Sequence, residues 1–340
     1  MQGETIRIAL DGMGGDFAPR EVVRGAVKAA QQGEVLSAQA GEIILVGPEE
    51  RLQAELAASE AASLPIQIYH TDQFIRDGES PAAGLRAKPQ ASVALCAQFT
   101  KEGQADAAVT MGHTGAAMIA AHWAFGPLPG VSRPVAGGDF LPLAPETVAF
   151  DLGANAGCKP EQFLQFAAVG VAYARCLLGI TEPTVGLLSN GTEPGKGIPQ
   201  TRAAYELLEK SEFNFVGYIE GWDLASGRVN VVLCDGFVGN ILIKYSEGLG
   251  RALAGWLGKQ LEGQLPAPQI EELTGGLREM MEIEKGLGGG PLLGVDGVMI
   301  VGHGRSRAPA VAKAIAQARR VVESGLIEEL RAELAQVAQE

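Results

Sequence analysis

Apolar and polar positions fall into short runs of two kinds, and the two kinds alternate along the chain. Compact β-branched and aliphatic runs at 6–10, 43–46, 66–69, 107–111, 148–152, 185–188, 215–219, 229–234 and 298–301 read as buried strands. Between them lie stretches of helical periodicity at 21–31, 50–58, 91–102, 115–124, 161–178, 201–210, from 238 through 256, and at 308–324. Pro160 suits the first turn of its helix, where a missing N–H costs nothing. Such alternation predicts a mostly parallel sheet covered on both faces, a three-layer Rossmann-like α/β fold. No linker or fixed-period repeat interrupts it, so one catalytic domain is expected over 1–340. Residues 260–290 break the pattern, being polar and glycine-punctuated, and predict a helical projection at 245–290 for dimer or membrane contact.

In open α/β sheets, ligands bind outside the carboxyl ends of strands. Six predicted strand ends here carry polar residues beside glycine. The first is Asp11-Gly12-Met13-Gly14-Gly15-Asp16, readable as an anion-binding loop or as a tight turn. Its spacing fits neither G-x-G-x-x-G, which needs glycine at Phe17, nor the Gly-Lys-Ser/Thr phosphate loop. The others are Gly112-His113-Thr114-Gly115, Asp151 to Lys159, Ser189 to Gly197, Asp235 to Asn240, and Gly302-His303-Gly304-Arg305-Ser306. Six such ends together point to a shared active-site cleft.

Composition narrows the chemistry. Glycine accounts for 46 of 340 residues, roughly twice the average share, as a chain with many tight turns requires. A net charge of −13 and 6% aromatics argue against nucleic acid as a partner. Anionic substrates would need positive charge gathered locally. Four scattered cysteines (Cys96, Cys158, Cys176, Cys234) suit a reducing cytoplasm rather than a disulfide framework or zinc site. No apolar run reaches 18 residues, so no membrane span is expected. Cys158 and Cys234 sit at strand ends and raise an acyl-cysteine intermediate as one reading. Against it stand the absence of a companion base and the habit of buried cysteines to act as small hydrophobes.

The segments Ala9 to Pro19, Asp151-Leu152-Gly153-Ala154-Asn155, Cys158-Lys159-Pro160, Gly195-Lys196-Gly197, Cys234 to Asn240, and His303-Gly304 resemble, in order and over nearly the whole length, the phosphate acyltransferase family of bacterial phospholipid synthesis. His113 stands where that family often has asparagine, and Gly157 where an acid is usual. The resemblance implies a fold similar to that of phosphotransacetylases and isocitrate/isopropylmalate dehydrogenases. It implies transfer of a fatty acyl group from acyl-acyl carrier protein to inorganic phosphate, giving acyl phosphate for phosphatidic acid synthesis. It further implies a homodimer, and an acyl phosphate passed to a membrane glycerol-3-phosphate acyltransferase.

Phosphate is already an anionic nucleophile and a thiol leaves readily, so positioning and oxyanion stabilisation carry the demand. Lys88, Lys159 and Lys196 are candidate phosphate or oxyanion partners, Asn155 and Asn240 candidate donors, and His113 and His303 candidates for proton transfer to sulfur. Substrate contact is expected from Asp11, Gly12, Gly14, Gly15, Asp16, Thr114, Gly115, Gly195, Gly197, Asp235, Gly236, Gly239 and Ser306. Carboxylates repel phosphate, so Asp11, Asp16, Asp151 and Asp235 are read as caps and orienting groups, with a divalent cation as the other reading. No cofactor or metal is expected otherwise. Arg305 with Arg307, or Arg86 with Lys88, would offer an acidic carrier protein a basic patch. Leu249, Leu253, Trp256, Leu257 and Leu261 recur at helical spacing and read as a core or dimer stripe, or as a peripheral membrane face poor in Lys and Arg. A related dehydrogenase or a non-catalytic scaffold are the competing classes.

Overall fold

A computed structural model describes residues 6–31, 42–59, 61, 63–76, 78–131, 133–193, 195–281 and 288–337. Where one domain was expected, the chain divides into two compact units: Met1–Leu128 with Leu287–Glu328, and Pro129–Gly286 with Glu329–Glu340. Each unit has its own sheet: among the described residues no strand of one unit shares a ladder with a strand of the other. The even β-α rhythm of the sequence carries no mark of that division.

Unit one begins with β1 (Arg7–Asp11), α1 (Arg20–Gln31), β2 (Glu42–Gly47), α2 (Glu49–Ala58), β3 (Ile66–His70), α3 (Pro81–Ala87), α4 (Ser92–Lys101), β4 (Ala107–Thr110) and α5 (Thr114–Phe125). Unit two holds β5 (Gly137–Asp139), β6 (Val148–Phe150), α6 (Pro160–Leu178), β7 (Thr184–Leu188), α7 (Pro199–Lys210), β8 (Asn214–Ile219), β9 (Val231–Leu233), α8 (Gly236–Leu261) and α9 (Ala267–Met281), with a short 3-10 turn at Gly221–Ala225. The chain closes with β10 (Gly290–Pro291), β11 (Met299–Val301), α10 (Ala308–Glu323) and α11 (Leu326–Val337).

The first sheet runs β10-β11-β4-β1-β2-β3, parallel except for β10. The second runs β5-β6-β9-β7-β8, parallel except for β5. Alternation sets the cores. Ala9 and Ala108 turn toward a cluster that includes Leu95, Phe99, Ala117 and Phe125 of α4 and α5. Ile8 and Leu10, fully buried, turn the other way. Small residues at the sheet centre let α4 lie close, whereas β-branched residues would hold it off.

The projection at 245–290 lies partly outside the described residues, and its described part is α8 and α9. The two helices pack on each other through small residues. A Cβ on Gly250 would sit 2.5 Å from the Cβ of Met281, and one on Gly258 3.6 Å from the Thr274 methyl. That choice of face overturns a core reading of the 249–261 stripe within this chain. Leu253 and Trp256 are exposed, Trp256 to 60%, while Gly250 and Ala254 are buried. No described helix is long and apolar enough to cross a membrane.

Candidate active site

Each unit brings together three of the six polar strand ends. In unit one they follow β11, β4 and β1, which are adjacent and parallel, so their carboxyl ends share one edge. Asp11 is buried at its centre. Its carboxylate accepts from Thr110 Oγ1 at 2.7 Å and from the Met13 N–H at 3.1 Å. Burial pushes its carboxyl above the ordinary carboxylate range, against the pull of the hydrogen bonds from Ser92, Thr110 and Met13. It is an organising group under the loop, the orienting role read for it from sequence.

The glycines act mainly by close approach. A Cβ on Gly14 would meet Thr110 Oγ1 at 2.7 Å and the Gly112 nitrogen at 2.8 Å, and one on Gly304 would meet Asp16 Oδ1 at 2.6 Å. Several of the loop's N–H groups are already used. Gly12 donates to Val46 O, Gly14 to Asp11 O and Asp16 to Gly304 O. Gly15, at φ +99°, makes the left-handed turn that leads into this contact. The Gly12 and Gly14 N–H groups are thus engaged within the fold, and what these two glycines offer is close approach.

These ends line a pocket of about 480 Å³, together with residues that follow β2 and β3. Gly15, Asp16, His113, Thr114, His303 and Gly304 are among its walls. His113 caps α5, its Nδ1 accepting from the Gly115 N–H at 3.0 Å. A neutral His113 therefore carries its proton on Nε2. Ser306 donates its N–H to His303 O and is not among the pocket walls.

Lys88 does not present its ammonium to this pocket. Its Nζ donates to Phe74 O at 2.9 Å and to both Glu79 carboxylate oxygens at 2.7 Å. Lys88 in turn holds the Glu79 carboxyl below its usual range. It is thus a brace for the loop carrying Phe74, Ile75 and Arg76, which line the pocket. Sequence could not show this, because a lysine beside Pro89 gives no hint of a glutamate nine residues earlier. The reading also missed Arg51 and Arg76, both pocket residues. One signal was present: Arg51 closely follows Gly47-Pro48, a strand end like the other six.

In unit two the ends follow β6, β9 and β7, again adjacent and parallel. Asp151, fully buried, gathers the N–H groups of Ala136 (3.3 Å), Gly153 (2.9 Å), Ala154 (2.9 Å) and Asn155 (2.7 Å). Asn155 Nδ2 donates to Asp151 Oδ2 at 2.7 Å and to Pro134 O at 2.9 Å. Both its amide hydrogens are engaged inside the fold, so Asn155 orients the turn instead of donating to a substrate. Asp235 caps α8 through the Phe237 N–H at 2.9 Å and accepts from the Cys158 N–H at 2.7 Å.

Helix α8 starts where it does because Gly236 and Gly239 let it touch that turn. Their Cβ atoms would lie 2.4 Å from Asn155 O and 2.0 Å from Asp151 O. Asn240, one residue on, is exposed beside Gly153. Lys159 is exposed at the start of α6, and its Nζ has no hydrogen bond or ion pair with another described residue. Asn190 Oδ1 accepts from the Gly197 N–H at 2.9 Å, and Gly195 and Gly197 take positive φ. The exposed Lys196 lies 3.9 Å from Glu193, a loose pair.

The cysteines are unsuited to nucleophilic duty. Burial pushes the Cys158 thiol up to about 12, helped by the nearby Asp235, and pushes Cys234 higher still. Their Sγ atoms face Asn155 O (3.5 Å) and Asp151 O (3.2 Å). A thiol at about 12 is roughly one part in 10,000 thiolate at pH 8, which speaks against the acyl-cysteine reading.

A family described as "Fatty acid synthesis protein" matches residues 6–329. A protein from Pelotomaculum thermopropionicum named "Phosphate acyltransferase" is 44% identical over 333 residues, covering 97% of this chain and 95% of that one. The chain belongs to this phosphate acyltransferase family. A second family member, from Moorella thermoacetica and of the same name, is 43% identical over 326 residues, covering 95% of this chain and 94% of its own. Like the rest of the family, the chain is an acyltransferase, so the dehydrogenase and scaffold alternatives fall away. Among solved structures, a phosphotransacetylase from Streptococcus pyogenes matches with a TM-score of 0.61 at 17% identity, covering 93% of this chain and 94% of that one. A branched-chain phosphotransacylase from Enterococcus faecalis V583 gives 0.57 at 14%, covering 94% and 99%. At such identities these two establish the fold, a mostly parallel Rossmann-like α/β architecture.

Proposed function

We propose that the protein moves a fatty acyl group from acyl-acyl carrier protein to inorganic phosphate, releasing acyl phosphate that is consumed in phosphatidic acid synthesis. The observation that carries this reading is the unit-one pocket. It has glycine-lined walls that admit a small ligand closely, and it concentrates two arginines and two histidines in a chain of net charge −13.

A phosphate oxygen attacks the thioester carbonyl and forms a C–O bond. The carbonyl electron pair moves to oxygen and then returns as the C–S bond breaks. The sulfur leaves as thiolate and takes a proton, for which the Nε2–H of His113 and the imidazole of His303 are candidates in the pocket walls, and the proton shed by the attacking hydrogen phosphate restores the histidine that gave one up. With a thiol pKa of about 8.5 the leaving group needs little acid help. Orientation and oxyanion donors carry most of the rate, each donor about 100- to 1,000-fold. Lys159, Lys196 and Asn240, exposed on the second unit's strand ends, remain candidates for anion contact.

This reading makes the protein a cytoplasmic homodimer. The exposed Leu253 and Trp256 offer an apolar face for the second subunit or for peripheral membrane contact. A short-chain, phosphotransacetylase-like activity is the competing reading. Palmitoyl-acyl carrier protein and acetyl-coenzyme A, each incubated with and without phosphate while free thiol is followed, separate the two. Phosphate-dependent release from the palmitoyl donor is expected. Release from the acetyl donor alone would transfer the assignment to the competing reading, and release from neither would sink both.

A further inference from the structure

Arg51 and Arg76 lie outside all six glycine-bearing strand ends, yet both line the unit-one pocket. Arg51 is in the first turn of α2, just after β2, and Arg76 follows β3. Strands β2 and β3 continue the row β11-β4-β1, so the arginines extend the carboxyl edge that carries the two histidines. Several arginines of this chain are engaged within their own helices. Arg24, Arg278 and Arg319 are each paired with a glutamate on their own helix. The Arg51 guanidinium has no hydrogen bond or ion pair with another described residue, although the chain has 40 acidic side chains against 27 basic ones.

Arg76 is held in a different way. Its guanidinium carbon lies 5.6 Å from the Phe74 ring centroid. The segment bearing it is pinned at both ends by Lys88, through Phe74 O and the Glu79 carboxylate. Among the described residues, Asp16 is the one carboxylate in the pocket walls. With Arg51 and Arg76 against Asp16 the lining is cationic on balance, and both of these cations are guanidinium forks. Planar forks match the oxygens of a phosphoryl group in pairs, which ammonium groups do not.

We propose that Arg51 and Arg76 form a phosphoryl-binding wall of this pocket, distinct from the glycine and histidine wall. The inference rests on the acyl-transfer reading, because that reaction brings two phosphoryl groups to the enzyme. One is inorganic phosphate. The other is the phosphodiester of the donor's phosphopantetheine arm. Both present the same anionic oxygens to a guanidinium.

Steady-state kinetics on Arg51→Gln and Arg76→Gln distinguish the sources. Phosphate is varied at saturating palmitoyl-acyl carrier protein. Palmitoyl-phosphopantetheine and palmitoyl-pantetheine, which lacks the phosphate, are then varied at saturating phosphate. Calorimetric titration of inorganic phosphate and of phosphopantetheine into the same proteins runs beside the kinetics. Loss of a charge-assisted contact predicts about a tenfold rise in KM or Kd for one of the phosphorylated ligands. A rise for inorganic phosphate assigns the wall to the nucleophile. A rise for palmitoyl-phosphopantetheine, with palmitoyl-pantetheine unmoved, assigns it to the arm. Both side chains are exposed, so the variants should melt within about 2 °C of the parent. Folded variants in which neither ligand shifts by more than about twofold would overturn the proposal. A wild-type protein inert on every donor would sink the acyl-transfer reading alone, and the calorimetry would then decide the arginine wall by itself.

Discussion

Replacing Gly239 by alanine puts a methyl group where no atom fits. Its Cβ would lie 2.0 Å from Asp151 O, 2.8 Å from Leu152 Cα and 3.0 Å from the Asp151 carbonyl carbon. All three are backbone atoms of a turn locked by the buried Asp151 carboxylate, so no side chain can swing aside. Either α8 lifts from the turn or the turn breaks. Overpacking of this kind costs about 3 kcal/mol, the upper end of the usual range. For a unit of this size that lowers the melting temperature by roughly 6–12 °C. Gly248 on the same helix is the control, since a Cβ there meets nothing within 4 Å. Alanine at 248 removes glycine's conformational entropy cost and should raise stability by about 0.5–1 kcal/mol. Differential scanning calorimetry of both variants therefore predicts shifts of opposite sign on one helix. A Gly239→Ala protein melting with the parent would refute the claim that the Asp151 turn seats α8.

Further expectations follow from the same contacts. Cys158→Ser should retain most of its turnover, since its thiol sits near 12, and a folded variant slowed more than about 100-fold would restore the acyl-cysteine route. Lys88→Met and Glu79→Gln should produce similar rises in KM, because both release the loop they brace together; an effect confined to Lys88 would mean that its ammonium touches substrate. His113→Asn keeps a side-chain acceptor for the Gly115 N–H and so should melt like the parent, whereas His113→Ala loses about 1 kcal/mol with the cap. If His113→Asn melts normally but loses turnover more than about 100-fold, proton transfer is its main duty. On the proposed homodimer, Trp256→Glu on the exposed face of α8 should shift a sedimentation-velocity profile from dimer to monomer; a parent that sediments as a monomer, or an unchanged dimer profile for the variant, removes that face from the proposal.

The strand ends were legible because their chemistry is local. A short apolar run followed by glycine and an acid marks a carboxyl edge whatever lies around it, and the structure places β1, β4 and β11 side by side. The sequence could not say how those edges are distributed between sheets, since nothing local distinguishes β4-to-β11 pairing from β4-to-β6. Elements missed include the seven-residue α3, in a stretch that reads as a polar loop, and two further kinds. Gly137–Asp139 and Gly290–Pro291 are strands without β-branched residues, made by their neighbours rather than by propensity. Leu326–Val337 carried a helical pattern in Leu326, Leu330 and Leu334, all buried, that the alternation of strands obscured.

Among candidate site residues, sequence overvalued side-chain type and undervalued partners. Lys88 and Asn155 have suitable functional groups, but Glu79 and Asp151 engage them, and those contacts exist only in three dimensions. Asp235 was read correctly as a cap because capping is set by the residues immediately following it. Arg76 escaped notice because no glycine stands at the end of β3, and Arg51 because Gly47-Pro48 after β2 has no polar side chain directly beside the glycine.

The central claim is that phosphate is the acyl acceptor. Phosphorus-31 NMR on the enzyme with palmitoyl-acyl carrier protein and inorganic phosphate tests it most directly. An acyl phosphate resonance should grow in step with free carrier thiol, and thiol release should cease when phosphate is omitted. Thiol release that continues without phosphate, or that proceeds with phosphate but yields free fatty acid from the outset, would contradict it.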